Sequence, residues 1–275
     1  MAADAVTTKK DPKRWWALVA MSLAIFLVAV DGTVLSLATP SIVRDLQPTA
    51  TQILWIGDIY SFVLAGLLIT MGNLGDRWGR KRMLLVGGTM FALLSIPAAY
   101  AQSPEQLIAM RALLGVAGAT LMPSTLALMR STFSDDKERS FAIGVWSAMG
   151  AAGAAAGPLV GGILLQNYWW GSVFLINVPI MALVLIIGLP TLRESWDPSP
   201  GPLDILSVAL SMIGILGVVY AIKESAVHGV HVEYAVAGVV GAGALIWFIL
   251  RQQHLEHPLV DVRLFSNWPF TGAVL

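Results

Sequence analysis

Long apolar stretches alternate with short polar segments along most of the 275 residues of this chain. A helix that crosses a bilayer needs about 20 mainly apolar residues. By that measure the pattern predicts eight membrane spans, at residues 15–38, 52–71, 83–101, 105–128, 140–165, 171–190, 203–222 and 233–251. The first stretch is longer than the apolar core of a signal peptide, which has about 7–15 residues, so we interpret it as a permanent span.

The composition supports the same class of protein. Hydrophobic residues make up 56% of the chain and charged residues only 12%, whereas soluble domains carry about 25% charged residues. Too few charges are present to coat a soluble globule of this length. We therefore expect an all-α polytopic membrane protein whose outer surface is covered by membrane lipids.

The basic residues predict an orientation. If the N-terminus lies in the cytoplasm, fourteen of the seventeen Lys and Arg residues fall in segments on the cytoplasmic side. The outside segments then hold only Arg44 and Lys223, and Arg111 lies within a span. An excess of Lys and Arg on cytoplasmic loops is the usual bias in membrane proteins.

The order of apolar and polar segments divides the chain into two blocks of helices joined by linkers. Residues 195–202 are rich in Pro and Gly, which favours a linker between a six-helix block and a following helix pair. We predict a cytoplasmic segment (1–14), a six-helix bundle (15–190), a cytoplasmic linker (191–202), a helix pair (203–251), a second cytoplasmic linker (252–268) and the start of a further membrane helix (269–275).

Three ionisable residues, Asp31, Asp58 and Arg111, fall well inside predicted spans. Such residues usually face the interior of a bundle and often mark substrate or ion paths. With a helical rise of 1.5 Å per residue, Asp31 lies roughly 14 Å below the outer surface and the other two roughly 10 Å. Two acids against one base leave one negative charge, which could exchange a proton for an organic cation. Alternatively, Arg111 neutralises one acid as a structural pair.

Aromatic residues accompany one of the acids. Trp55, Asp58 and Phe62 lie three and four residues apart, so they share one face of a helix. A carboxylate beside aromatic rings suits a lipophilic cation, because the ring faces attract positive charge. Ordinary packing between helices, with Trp55 as an anchor at the membrane interface, explains the same spacing.

Two glycine-containing motifs complete the pattern. Residues 72–82 form a polar loop with one acid and four bases, which cannot lie in hydrocarbon and so marks a membrane surface. In the fifth span, small residues at a spacing of three or four allow close helix packing, and a proline favours a kink. The residues of this row are Gly150, Gly153, Gly157, Pro158 and Gly161. Static packing explains the row as well as a bendable surface does.

Several stretches resemble motifs of the major facilitator superfamily. Residues 72–82 resemble its loop motif between helices two and three, and residues 111–119 its fourth-helix motif, with Leu114 where Gln is usual. Residues 153–162 resemble its fifth-helix antiporter motif. Residues 31–40 resemble the first-helix motif of the fourteen-helix drug:proton antiporters, with Ser36 and Thr39 as departures. Residues 54–61 are similar to the second helix of quaternary-ammonium efflux pumps.

The resemblance implies proton-driven export of lipophilic organic cations across a plasma membrane, such as the bacterial inner membrane. Protons are then the coupling ion, and no other cofactor, metal or nucleic acid is expected. Asp31 and Asp58 would be the cation and proton sites, and Arg111 would assist proton coupling. The implied substrate-lining aromatic residues are Trp55, Tyr60 and Phe62. The implied gating loop contains Gly72, Asp76, Arg77, Gly79, Arg80 and Lys81, and the antiporter helix contains Gly153, Gly157, Pro158 and Gly161.

Members of this branch have two six-helix halves with two extra helices between them. The resemblance therefore implies that the chain supplies the first half and the extra pair, and that a C-terminal half of the same protein is its partner. Alone, the chain should bind substrate weakly and transport nothing. Two other interpretations stay open: a transporter for one specific metabolite, and a non-transporting membrane protein. No nucleophile–base constellation supports an enzyme.

Overall fold

The computed structural model describes residues 12–197, 204–229 and 231–255, and the residues in these ranges form helices and connecting segments without strands. The helices are α1 (Arg14–Leu46), α2 (Ala50–Trp78), α3 (Arg80–Ala99), α4 (Pro104–Thr132), α5 (Asp136–Asn167), α6 (Ser172–Leu175), α7 (Asn177–Thr191), α8 (Ile205–His228) and α9 (Val232–His254). With α6 and α7 taken together, eight of these segments are long and apolar enough to cross a membrane.

The number and order of the predicted spans are thus confirmed within the described residues. Most helices extend beyond the predicted apolar stretch, because their polar ends continue the backbone hydrogen bonds past the apolar part. The largest differences are at the ends of α1, α2 and α8, by six to eight residues. The segment that begins near Pro269 lies outside the described residues, as do residues 1–11 and most of the second linker.

Local sequence explains where several helices begin. The hydroxyl of Thr49 accepts a hydrogen bond from the backbone N–H of Gln52, and the side chain of Gln52 accepts one from the backbone N–H of Thr49. This reciprocal arrangement satisfies N–H groups that a helix start otherwise leaves unpaired. Ser103 and Asp135 accept equivalent bonds at the starts of α4 and α5.

The interior of the bundle is formed mainly by α1 and α4. We compared an apolar stretch of 18 residues in each membrane-length helix. In this stretch 67% of the residues are buried in α1 and 61% in α4, against 44% or less in the other helices. α1 packs most extensively on α5 and also contacts α4 and α7, while α4 packs on α2 and α3. Asp31 and Arg111 therefore sit on the two helices that are most enclosed by protein.

The last two helices form a pair that is docked on the bundle. α8 and α9 pack extensively against each other, and α8 contacts α2. Arg251 near the end of α9 donates two hydrogen bonds of 3.1 Å to the carboxylate of Asp204, which precedes α8. The helix pair thus adds a layer beside α2.

Candidate functional site

Arg111 and Asp31 form an ion pair in the interior of the bundle. Arg111 Nη1 lies 2.7 Å from Asp31 Oδ2, and both side chains are 0% exposed. Arg111 also donates to the backbone carbonyls of Ile56 at 3.3 Å and Gly57 at 3.4 Å. The guanidinium therefore links α1, α2 and α4, and its charge is matched by the carboxylate.

The carboxylate of Asp31 is also held from its other side. Asn177 Nδ2 donates to Asp31 Oδ1 at 2.8 Å and to Ser95 Oγ at 3.1 Å. Both oxygens of Asp31 thus accept hydrogen bonds from buried donors. The pair and Asn177 connect α1, α3, α4 and α7 through one polar network in an otherwise apolar core.

Tyr60 belongs to this buried network. Its ring centroid lies 4.5 Å from Arg111 Cζ, and its hydroxyl donates to the carbonyl of Val28 at 3.3 Å. Tyr60 is only 2% exposed. Tyr60 therefore lies apart from Trp55 and Phe62, and its role in lining a substrate surface stays a prediction. Two residues after Asp58 correspond to about 200° around a helix, so Tyr60 faces the opposite side.

Asp58 does not join the pair of Asp31 and Arg111. It lies on the face of α2 that contacts α8, where Lys223 Nζ forms a direct ion pair with Asp58 Oδ2. The Asp58 side chain is 49% exposed and that of Lys223 is 15% exposed. The structure therefore separates the two acids that the sequence places at similar depth.

With Lys223 included, the number of basic residues at these two sites matches the number of acids. We assigned Lys223 to an outside segment, but α8 continues to His228 and includes it. Asp31 is matched by Arg111 and Asp58 by Lys223, so the expectation of one uncompensated negative charge is wrong for this arrangement. The apolar pattern ends at residue 222, which is why the predicted span ends there although the helix continues.

Aromatic rings surround the second pair. Lys223 Nζ lies 5.7 Å from the ring centroid of Phe62 and donates to the carbonyl of Leu54 at 3.3 Å. Trp55 stacks on Tyr220 with ring centroids 6.2 Å apart. The predicted face of Trp55, Asp58 and Phe62 is confirmed as one surface of α2, which we call the Asp58 face. Tyr220 and Lys223, three residues apart on α8, are the neighbours that the sequence pattern did not predict.

The loop between α2 and α3 is built around a glycine and a carboxylate from beyond α7. Gly79 has φ = +107°, in a region that favours glycine. Glu194 accepts hydrogen bonds from the backbone N–H groups of Lys81 at 2.9 Å and Arg82 at 3.2 Å. A carboxylate at the start of α3 interacts favourably with the helix dipole. The first residues of the predicted linker are therefore bound to this loop.

Several charged side chains of the same loop have a hydrogen-bonding or ionic partner. Asp76 accepts from Arg80 at 2.8 Å, and the backbone N–H of Arg80 donates to the carbonyl of Ser195 at 2.9 Å. Lys81 Nζ donates to the carbonyl of Leu189 at 2.7 Å. A cavity of about 170 Å³ lies beside the loop, and Gly72, Asp76 and Arg80 form part of its lining. Arg77 lies in the last turn of α2.

The glycine row of α5 faces α1. Gly153, Gly157 and Gly161 are buried, whereas Pro158 is exposed. A side chain at Gly153 would place its Cβ 2.5 Å from the carbonyl oxygen of Phe26. The row therefore lets the backbones of α1 and α5 approach closely, as the small-residue spacing predicts.

Known proteins are similar to this chain in sequence. The chain is 47% identical over 269 residues to the multidrug efflux pump LfrA of Mycolicibacterium smegmatis, covering 98% of this chain and 53% of that protein. It is 42% identical over 257 residues to the methyl viologen resistance protein SmvA of Salmonella typhimurium, covering 93% of this chain and 52% of that protein. The chain thus spans about half the length of these curated relatives.

Solved structures show the same fold at low sequence identity. The POT family transporter PepTSo aligns with a TM-score of 0.61 at 15% identity, covering 92% of this chain and 56% of that chain. A bacterial homologue of the lysosomal transporter Spinster, in an inward-facing and occupied conformation, aligns with a TM-score of 0.55 at 20% identity, covering 92% of this chain and 65% of that chain.

The family model for the Major Facilitator Superfamily matches residues 21–205. These residues contain the Asp31–Arg111 pair, the Asp58 face, the loop after α2 and the glycine row. The family and the structural neighbours are those of membrane transporters rather than enzymes. This chain is a multi-pass membrane protein that belongs to the Major Facilitator Superfamily.

Proposed function

We propose that this chain forms half of a proton-coupled antiporter that exports lipophilic cationic drugs and biocides by alternating access. The observation that carries the proposal is the Asp58 face. There a carboxylate, a backbone carbonyl and an aromatic ring together hold an ammonium group, that of Lys223. The same groups suit an organic cation, because charge attraction and ring faces act on it together.

The names of the relatives support drug export. LfrA is named a multidrug efflux pump and SmvA a methyl viologen resistance protein. Because both are about twice as long as the chain, we propose that a second half encloses the Asp58 face and completes a substrate cavity there. We call this chain together with that second half the complete transporter. We place it in the bacterial inner membrane with its N-terminus in the cytoplasm, in keeping with its basic residues.

Protonation and cation binding then fall to different carboxylates. Asp31 is enclosed and bonded on both oxygens, so a proton reaches it only when α1 and α4 move apart. Protonation would leave Arg111 without its counter-charge in the core, which favours rearrangement of these helices. Asp58 is half exposed, so it can bind a cation without that rearrangement. The paired loop after α2 would open and close the opposite side.

The test is export of ethidium from vesicles that contain the complete transporter under an imposed pH gradient. We expect export by the unchanged protein, and its loss in Asp31→Asn and in Asp58→Asn. Asp45→Asn, at an exposed position near the end of α1, is the matched control and should export normally. Normal proton-driven export in both site variants would contradict the mechanism. Failure to move any cation, with a neutral nutrient moving instead, would favour a transporter for one metabolite.

A further inference from the structure

The Asp58 face already contains a bound cation, and that cation belongs to the chain itself. Lys223 Nζ contacts Asp58 Oδ2, donates to the carbonyl of Leu54 at 3.3 Å and lies 5.7 Å from the ring centroid of Phe62. These are an acid, a carbonyl and an aromatic face, the three kinds of group that would bind the positive end of an organic cation. The ammonium group therefore occupies the position that we assign to the substrate.

The charged residues near Lys223 have other partners, so Asp58 is the acid that pairs with it. Glu224, the next residue of α8, is 5% exposed and points elsewhere. It accepts from Thr51 Oγ1 at 3.3 Å and lies 3.2 Å from His228 Nδ1. Arg111, the buried cation on the other side of α2, is paired with Asp31. Asp58 is thus the acid that neutralises Lys223.

The pair can open at low cost compared with the pair in the core. A lysine carries its charge on a flexible four-carbon stem with three rotatable donors. Half of the Asp58 side chain is open, with an exposed fraction of 49%. Because the carboxylate is half exposed, water or a competing cation can replace the ammonium group as its partner at a lower cost than in the core pair. The ammonium group can then swing away while α8 stays in place.

We propose that Lys223 is an intramolecular competitor that a transported cation must displace from Asp58. The proposal deepens the proposed function and rests on it. When no substrate is present, Lys223 neutralises Asp58 and keeps the site occupied. Binding of a lipophilic cation releases the side chain of Lys223. Whether the site is occupied by substrate therefore decides the position of a charged side chain on α8, a helix of the additional pair. Lys223 thereby sets the affinity of the transporter for cations.

The test measures equilibrium binding of ethidium to the complete transporter without a pH gradient. Removing the competitor in Lys223→Gln should tighten ethidium binding by up to about fivefold, the upper end of the range expected for loss of a partly exposed ion pair. Lys223→Arg keeps the charge and should bind ethidium about as the unchanged protein does. Lys137→Gln, at an exposed position in the first turn of α5, is the matched control and should have no effect.

Two further measurements separate competition from a structural effect of the substitution. In an Asp58→Asn background, Lys223→Gln should tighten ethidium binding less than it does when Asp58 is present, because the charge for which both cations compete is gone and only the repulsion between the two cations is removed. A neutral lipophilic dye, N-phenyl-1-naphthylamine, should bind equally to the unchanged protein and to Lys223→Gln. A general loosening of α8 would change the binding of both dyes.

The outcomes for this proposal and for the proposed function are distinct. Equal or weaker ethidium binding by Lys223→Gln, in a protein that exports ethidium under a pH gradient, would overturn the competition and leave drug export intact. An equal gain in the Asp58→Asn background would also overturn it, since the effect would not pass through Asp58. Absence of proton-driven export in the unchanged protein would instead contradict the proposed function.

Discussion

Two ion pairs, each with an aspartate as the acid, lie on opposite sides of α2. The pair of Asp31 and Arg111 is 0% exposed and is bonded to three further groups in the core. In the pair of Asp58 and Lys223, the carboxylate is 49% exposed. The two pairs differ in their surroundings and in the cation, because Lys223 carries its charge on a flexible stem whereas the guanidinium of Arg111 is planar and rigid. One pair is part of the packing of the bundle, and the other lies at its surface, where we propose that a cation binds.

Burial decides what each pair can do. Removing one partner of a buried pair leaves a charge without compensation and costs about 3–5 kcal/mol, whereas exposed pairs contribute about 0.2–1 kcal/mol. The first pair should therefore hold the helices together until a proton changes its charge. The second pair should open readily and exchange partners. Substitutions at the two pairs should accordingly differ in their effect on the free energy of unfolding.

Arg111→Leu should cause the largest loss of stability. The substitution leaves the carboxylate of Asp31 buried without a counter-charge, so we expect a loss of about 3–5 kcal/mol. Thermal unfolding in detergent micelles, followed by intrinsic tryptophan fluorescence, measures it. Lys223→Leu is the matched control, because it removes the other cation and should cost less than about 1 kcal/mol. Equal losses in the two variants would show that burial does not distinguish the two pairs.

Substitutions of two glycines test the packing around the same pairs. A Cβ at Gly115 would lie 2.7 Å from the carbonyl oxygen of Tyr60, whereas a Cβ at Gly57 would meet nothing within 4 Å. Gly115→Ala should therefore destabilise the protein by about 1–3 kcal/mol through overpacking. Gly57→Ala should be neutral or stabilising by up to about 1 kcal/mol, because Ala is the better helix former.

The same thermal unfolding measurement checks the glycine pair. A loss in Gly57→Ala as large as that in Gly115→Ala would mean that α2 is enclosed equally on both sides. The proposed difference in burial between the two faces of α2 would then be contradicted.

Asp58→Asn should leave stability almost unchanged. Half of its side chain is exposed and its partner sits on a flexible stem, so we expect a change of less than about 1 kcal/mol. Asp31→Asn, which alters the core network, should cost more because its two hydrogen-bond donors lose the charged acceptor. Unfolding of both variants under identical conditions gives the comparison. A larger loss in Asp58→Asn would contradict it.

A third pair, that of Asp204 and Arg251, lies outside the membrane spans and should show a defined pH dependence. Burial raises the pKa of Asp204, but hydrogen bonds from Arg251 and Ser207 outweigh it and hold the pKa below its ordinary value. The stabilisation is therefore present above the ordinary carboxyl pKa and is lost as the pH falls through the lowered one. Asp204→Asn should cost about 1 kcal/mol or less at neutral pH.

The unchanged protein and Asp204→Asn should approach equal stability in acid. Thermal unfolding of both proteins as a function of pH measures the difference. A gap that stays constant down to strongly acidic pH would show that the charge of Asp204 is not its source.

The sequence predicted the fold more fully than the site. Eight apolar stretches predicted the eight spans, because each is long enough to cross a bilayer by itself. The comparable depths of Asp31, Asp58 and Arg111 allowed Arg111 to neutralise one of the two acids, without indicating which one. Periodicity also placed Trp55, Asp58 and Phe62 on one face. These inferences depend only on residue spacing within single helices.

Contacts between different helices could not be predicted from residue spacing within one helix. Which helix covers the Asp58 face depends on how α8 docks, and nothing in the local pattern of α2 encodes it. Lys223 was missed because the apolar run stops just before it, although the helix continues. Glu194 was missed because its partners are backbone N–H groups more than 100 residues earlier in the chain.

The central claim is that Asp58 is the exchangeable cation site and Asp31 is not. It is tested most directly by ethidium binding at equilibrium, without a pH gradient, to the complete transporter and to its Asp58→Asn variant. Loss of a charged partner predicts binding at least about tenfold weaker in Asp58→Asn, with Asp45→Asn unchanged. Ethidium binding of equal strength in Asp58→Asn and the unchanged protein would contradict the account.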